Sequence, residues 1–203
     1  GNSNTTGNTN VGVGYRSLFA NTTGYFNTAI GVHALSNNVN GWGNTAFGVG
    51  ALNDSTSAAW NTAIGYNALF RNTTGVNNVA TGPFALQVHL TGNNNVAYGY
   101  AAGSDWADVE QSVLIGSQAN PSVNGLSNVI AIGYQAQATK SNQAVIGNAS
   151  ITETLLHGAV TDSLRVTGGT IAAGNVLTSD AIGIATWQAP SRAHPRARPD
   201  APP

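Results

Sequence analysis

A glycine recurs with a 17-residue period along most of this chain and constrains the fold more than any other feature. A related phrase surrounds each one, most clearly Asn27-Thr28-Ala29-Ile30-Gly31 and Asn61-Thr62-Ala63-Ile64-Gly65. A fixed period in this range is typical of a solenoid, whose repeats become stable by stacking on their neighbours. We therefore predict a repeat array over residues 1–147 with a structural glycine column. That column is Gly14, Gly31, Gly48, Gly65, Gly82, Gly99, Gly116 and Gly133, followed after a shorter 14-residue step by Gly147.

The residues before each glycine predict a short β-strand in every repeat. Strand formers stand three residues and one residue before it, as Thr28 and Ile30 do before Gly31. Between them lies a small residue, with Leu114 as the exception, and a second small column, mostly alanine, follows three residues after the glycine. The pattern predicts an all-β protein, a parallel β-solenoid (β-roll) of about nine coils. The small columns face either the interior of one flat solenoid or a surface where identical chains meet.

Composition restricts the function classes. Charged residues make up 7% of the chain, cysteine is absent, and the net charge is -1. A nucleic-acid partner calls for a basic face, so we expect none. No run of 18 apolar residues is present, so we expect no membrane insertion by this segment. The chain begins in the middle of a repeat, and we expect a fragment or a processed product.

Two further segments follow the array. Residues 148–190 contain alternating stretches such as Leu164–Thr167 and Ile182–Trp187, broken by glycines, and are predicted to be a β-rich connector. Residues 191–203 are rich in proline and arginine and are predicted to be a disordered tail.

The repeated phrases resemble those of a known family. Asn-Thr-Ala-Ile-Gly and its variants at 129–133 and 143–147 resemble the head repeats of trimeric autotransporter adhesins, and the Asn-Thr-Thr-Gly connections are similar to those of phage tail-fibre proteins. The resemblance implies a left-handed parallel β-roll assembled as a homotrimer, located outside the cell on a bacterial surface or a phage virion. The 17-residue step is longer than the 14-residue step typical of those heads, a difference that leaves the strands intact and lengthens the turns.

Exposed side chains in the connections are the candidate binding residues. Aromatic rings beside asparagines suit stacking on sugars or contact with a protein receptor, and an acidic turn replaces the usual polar one after residue 104. The candidates are Tyr25, Trp42, Trp60, Trp106, Asp105, Asp108 and Glu110. Aromatic residues directly after the glycine, such as Tyr15, Tyr66 and Tyr100, are instead expected to form structural ladders.

Catalytic, metal and cofactor sites are not predicted. The four histidines share no metal-ligand spacing, although a trimer would bring three copies of each to one axis. The acidic turn lacks the glycine-aspartate repeat of calcium-binding β-rolls. The Asn-Thr-Thr sequences match a glycosylation signal, but a turn repeated with the solenoid explains them better.

The sequence thus favours a non-enzymatic trimeric fibre that attaches a cell or virion to a surface glycan or protein. A purely structural filament is one alternative. An ice-binding solenoid is a second, because Thr28, Thr45 and Thr62 fall in register. A left-handed β-helix acyltransferase is a third, although its six-residue steps do not divide the 17-residue period.

Overall fold

The computed structural model describes residues 3–105 and 108–151, together with the backbone of residues 176–179 and 185–188. The chain divides into two compact units, Gly1–Thr154 and Leu155–Pro203. Its strands are β1 (Val11–Val13), β2 (Thr28–Ile30), β3 (Thr45–Phe47), β4 (Thr62–Ile64), β5 (Val79–Thr81), β6 (Val96–Tyr98), β7 (Val113–Ile115), β8 (Asn120–Pro121), β9 (Ile130–Ile132), β10 (Gln137–Ala138), β11 (Ala144–Ile146), β12 (Val176–Ser179) and β13 (Ala185–Gln188).

The first unit is a parallel β-solenoid, as the repeat predicts. Strands β1 to β7, β9 and β11 form one nine-stranded sheet, which corresponds to about eight turns. Pairing follows the 17-residue period, so Thr28 lies beside Thr45 and Thr45 beside Thr62. The shorter last step keeps this register, because Ile146 pairs with Ile132. The 14-residue step therefore removes residues from the connection and leaves the sheet continuous.

The core lies inside each coil and is lined by small residues. Both alanine columns are fully buried, the one in the strands, such as Ala46, and the one after the glycine, such as Ala51. A leucine column completes the core with Leu18, Leu35, Leu52, Leu69 and Leu86. The alternative that identical chains meet on the small face is therefore wrong. Alanine suits the interior because the two sides of the thin coil approach each other closely.

A ladder of buried asparagines runs beside the sheet, one residue before each of the strands β2 to β6. Asn44 donates from Nδ2 to Asn27 Oδ1 at 3.1 Å and to the Ala58 carbonyl at 2.8 Å. Its own Oδ1 accepts the Asn61 backbone N–H at 3.0 Å. The pattern continues through Asn78 and Asn95. Because each buried amide is hydrogen-bonded to the next coil, this ladder fixes the stacking register.

The glycine column forms the corner after each strand. Gly48 has a φ of 140°, in a region that residues with a side chain rarely adopt. A Cβ at this position would also collide with the backbone of Gly65 in the next coil. Both the conformation and the close approach of coils therefore call for glycine at this corner.

The remaining strands form two small sheets. β8 and β10 pair in parallel in the last coils of the array. In the second unit, β12 and β13 form an antiparallel pair in which Leu177 lies opposite Trp187. The predicted strand at Leu164–Thr167 and the tail at 191–203 lie outside the described residues. Among the residues that are described, no helix is long and apolar enough to cross a membrane.

Candidate functional site

The outward face of the nine-stranded sheet is uncharged and largely apolar, although Thr28, Thr45, Thr62 and Thr81 also lie on it. It consists of the two strand columns and the column after the glycine, and no charged residue occupies any of these positions. Most of its large apolar side chains are between 37% and 68% exposed, whereas Ile30 and Val113 are half-buried. The exposed ones are Val11, Val13, Tyr15, Val32, Phe47, Val49, Ile64, Tyr66, Val79, Val96, Tyr98, Tyr100, Ile115, Ile130, Ile132, Tyr134 and Ile146. We call this surface the outer face; contiguous apolar patches of this kind are typical of interaction sites.

One edge of the outer face carries an aromatic cluster that includes three of the predicted binding residues. Tyr25 and Trp42 are stacked, with ring centroids 5.4 Å apart and planes at 13°. Trp42 meets Trp60 in an edge contact at 4.6 Å. Phe26 joins through an edge contact with Tyr25 at 5.2 Å. We call these four residues the edge cluster.

The edge cluster is made of residues from two neighbouring columns of the repeat, so inspection of either column alone does not reveal it. Tyr25 and Trp42 share a column because they are one 17-residue period apart, whereas Trp60 stands one position further along and falls in the column of Phe26. The two half-buried rings, Tyr25 and Trp42, support the two exposed ones. Phe26 is 56% and Trp60 55% exposed. Phe26 was absent from the predicted site, and an alignment of the repeat columns would have found it.

A second aromatic row follows the opposite edge. Phe84 contacts Tyr66 at 5.2 Å and Tyr100 at 5.9 Å, both edge to face. The expected ladder directly after the glycine is thus bridged by Phe84, which comes from the neighbouring column. Tyr15 similarly contacts His33 at 5.6 Å and the Arg16 guanidinium at 5.5 Å.

The acidic turn is used for contacts between coils. Asp108 Oδ1 accepts the backbone N–H groups of Leu90, Thr91 and Gly92 at 3.2, 2.8 and 3.2 Å. Glu110 Oε1 accepts the Asn93 side chain at 3.2 Å.

Asp105 faces a different coil. Its Oδ2 accepts the Asn120 side chain at 3.1 Å. The structure therefore does not gather the three predicted carboxylates into one site, and Trp106 lies outside the described residues. Within the described part of the chain, no group of three His, Cys, Asp or Glu side chains is placed to hold a metal ion.

His89 is a buried titratable side chain in the described solenoid. Burial lowers its pKa, while the Gly92 backbone and the carboxylates of Asp108 and Glu110 act in the opposite direction. Its Nε2 lies 3.3 Å from Asn95 Nδ2, and its buried Nδ1 has no hydrogen-bond partner.

Two of the glycosylation-like asparagines are turn residues. Asn21 and Asn72 are buried, and each donates from Nδ2 to the carbonyl three residues later, Gly24 and Gly75, at 3.1 Å. Their amides close the same turn in each coil, which agrees with the interpretation of the motif as a repeated turn.

A cleft of about 710 Å³ lies near the C-terminal end of the array, between Asp105, Asn120, Gln135, Gln137 and residues 145–150. Its lining combines five amide side chains with the aliphatic side chains of Val145 and Ile146.

No family model, curated protein or solved structure matches the chain. The resemblance to adhesin heads and tail fibres therefore depends on the sequence motifs alone. The two candidate surfaces, the outer face and the edge cluster, are identified from side-chain exposure and ring contacts in the structure.

Proposed function

We propose that this protein is a non-enzymatic surface fibre in which parallel copies meet on the outer face, and that it attaches a bacterium or a virion to another surface. The observation that carries the proposal is the exposed, uncharged outer face that runs through every coil. A fibre uses such a face along its whole length, whereas an enzyme needs one concave site. The number of copies, three, comes from the resemblance.

A second copy of the same chain is the occupant that fits the outer face best. Every strand presents the same outward positions at the same spacing of roughly 4.8 Å. A parallel copy therefore matches coil for coil, while a partner with another period would lose register after a few coils. Burial of these side chains would also remove the large apolar surface from water, at about 25 cal/mol per Å².

Attachment is proposed for the connections, where the edge cluster and the turns vary between coils. The strand columns are constrained by stacking, so new contacts are tolerated in the turns. Several copies multiply each weak contact, and linked weak contacts give useful avidity without a deep pocket.

The ice-binding alternative has weaker support. The threonines of β2, β3 and β4 do align on the outer face, but valine replaces them in β5, and Ile30, Phe47 and Ile64 stand beside them. A regular threonine array is thus three coils long. Measurement of thermal hysteresis distinguishes the two functions.

The direct test is a binding screen of the folded oligomer against whole cells and a glycan array. We expect binding to at least one surface, reduced about tenfold in Trp42→Ala and Trp60→Ala because each removes a ring from the edge cluster. Val123→Ala, in an exposed connection several coils further along the array, is the matched control. Absence of binding to every surface would favour the purely structural filament.

A further inference from the structure

The column that ends the edge cluster has a left-handed backbone in every coil. Its five members from Phe26 to Asn94 are Phe26, Gly43, Trp60, Asn77 and Asn94, with φ values of 58°, 67°, 58°, 59° and 59°, and Thr9, Gln111, Asn128 and Asn142 continue it with φ values of 52–58°. Glycine and asparagine adopt this left-handed region readily, whereas a bulky aromatic residue does so at a cost. Phe26 and Trp60 recover little of that cost through core packing, since more than half of each side chain is exposed. The exposed faces of these two rings are therefore available to a contact outside the chain.

Gly43 gives the Trp60 ring its position. A Cβ on Gly43 would lie 2.9 Å from Trp60 Cε3 and 3.1 Å from Cζ3, so the indole lies directly over the glycine. The same ring system also packs against Trp42 in a T-shaped contact. Two neighbours thus hold the indole against the coil, which leaves the exposed part of the ring pre-organised for a ligand.

Beyond Trp60 the same column becomes polar. Asn77 and Asn94 are exposed, and Asn77 donates from Nδ2 to Asn94 Oδ1 at 3.2 Å. Amides both donate and accept hydrogen bonds, as the hydroxyl groups of a sugar do. The column therefore combines aromatic rings, suited to the C–H faces of sugar rings, with amides suited to hydroxyls. None of its five residues is charged.

We propose that this column is a binding site for a neutral, linear oligosaccharide that lies along the solenoid axis. Phe26 and Trp60 stack on its sugar rings, Gly43 positions the Trp60 indole, and Asn77 and Asn94 bind its hydroxyl groups. From Phe26 to Asn94 the column covers four steps of roughly 4.8 Å, about 19 Å, which spans a few sugar rings. The site rests on the proposed attachment function and deepens it, because it names the ligand of the edge cluster.

The position of the column is compatible with self-association. It is the outermost column at one margin of the outer face, next to the Thr28–Thr45–Thr62 column. A second copy seated on the central columns leaves this margin accessible at the rim, where interfaces are usually open to solvent.

The test is titration of the intact protein with neutral linear oligosaccharides of two to six units: β-1,4-linked glucose, β-1,4-linked N-acetylglucosamine and α-linked mannose. Sialyllactose serves as the charged comparator. Tryptophan fluorescence and calorimetry report binding.

We expect saturable binding of one neutral series, with affinity that rises with chain length up to about four sugar units. In Trp60→Ala the affinity should fall about tenfold. Gly43→Ala should weaken binding several-fold, since the added methyl displaces the indole. Phe19→Ala, which removes an exposed ring that belongs neither to the outer face nor to the edge cluster, should leave affinity unchanged.

Several outcomes would overturn the site. These are binding to none of the neutral series, preference for sialyllactose, or equal affinity in Trp60→Ala and the unaltered protein. A lower oligomer mass in Trp60→Ala without loss of sugar affinity would assign the column to the self-interface instead. Failure of the attachment function is separable: sugar titration that succeeds without any cell binding contradicts attachment, and cell binding that persists in Trp60→Ala without sugar binding contradicts this site alone.

Discussion

His89 stands in a turn column that holds buried asparagine or serine in the four preceding coils. In the preceding coils the positions are Asn21, Asn38, Ser55 and Asn72. The imidazole is uncharged at neutral pH because burial lowers its pKa. Protonation would place an Nε2–H donor against Asn95 Nδ2, whose hydrogens already bind Asn78 Oδ1 and the Val109 carbonyl. Protonation of His89 is therefore less favourable in the folded protein than in the unfolded chain.

This difference predicts acid sensitivity. The unfolded histidine titrates with a pKa near 6.5 and the folded one lower, so the contribution of His89 is constant above that pH. Below it, the free energy of unfolding falls by up to about 1.4 kcal/mol per pH unit until the folded pKa is reached. We expect His89→Asn, which installs the residue of the neighbouring coils, to reduce the loss of melting temperature between pH 7.5 and 5. Thr74→Asn, in an exposed connection, is the control and should behave like the unaltered protein. Identical pH profiles for His89→Asn and the unaltered protein would contradict this account.

At the scale of one coil, two columns of the core change residue type together: a leucine appears in the strand column, and a glycine appears in the leucine column. Leu114 stands where β1 to β6 and β9 have alanine or glycine and β11 has Val145. Gly103 stands where the preceding coils have leucine. A Cβ on Gly103 would lie 2.9 Å from Leu114 Cδ1 and 2.6 Å from Leu86 Cδ2. The Leu114 side chain thus reaches the space that a leucine at 103 would occupy. The exception to the alanine column is explained by a compensating change on the opposite wall of the core.

This exchange predicts a rescue. Leu114→Ala should lower the free energy of unfolding by about 2–5 kcal/mol because it leaves a cavity. Gly103→Leu alone should cost roughly 1–3 kcal/mol through overpacking. The double variant restores the pattern of the other coils, and the positive φ at Gly103, 66°, is close to the 48–51° of the leucine column. We expect it to be at least about 1 kcal/mol more stable than the sum of the single changes.

Urea denaturation measures each free energy. Leu69→Ala combined with Gly103→Leu is the control pair, since these positions are two coils apart, and it should show additive losses. Additivity in the Leu114 pair as well would mean that the two positions do not share one space.

The elements differ in how far the sequence predicts them. Strand positions and register follow directly from the period, because equivalent residues of a solenoid must stack. The asparagine ladder was not predicted, since a buried amide is stable only with partners on adjacent coils, and those partners include backbone carbonyls 14 residues away. The direction of the small face was also undetermined, because alanine suits a thin interior and a close chain interface equally well.

The candidate site shows the same division. The aromatic residues were recognisable by type, but their grouping depends on the one-position offset of Trp60 from the column of Trp42 and on the space above Gly43. Asp105, Asp108 and Glu110 are close in sequence, yet they contact different coils, because neighbours along a turn of the solenoid point to the coils before and after it.

For the whole molecule, the central question is whether copies of the chain associate through the outer face. We expect light scattering at micromolar concentration to show a parallel oligomer, three copies by the resemblance, with a melting temperature that rises with protein concentration. Tyr98→Lys places a charge in the central column of the face, where Tyr98 is 60% exposed in a single chain. In the oligomer this charge would be buried without a partner, at a cost of about 3–5 kcal/mol. The variant should therefore dissociate at concentrations at which the unaltered protein is assembled.

Thr74→Lys adds the same charge to an exposed connection and should assemble normally. A monomeric unaltered protein, or a Tyr98→Lys oligomer of full mass, would show that the outer face does not join copies of this chain.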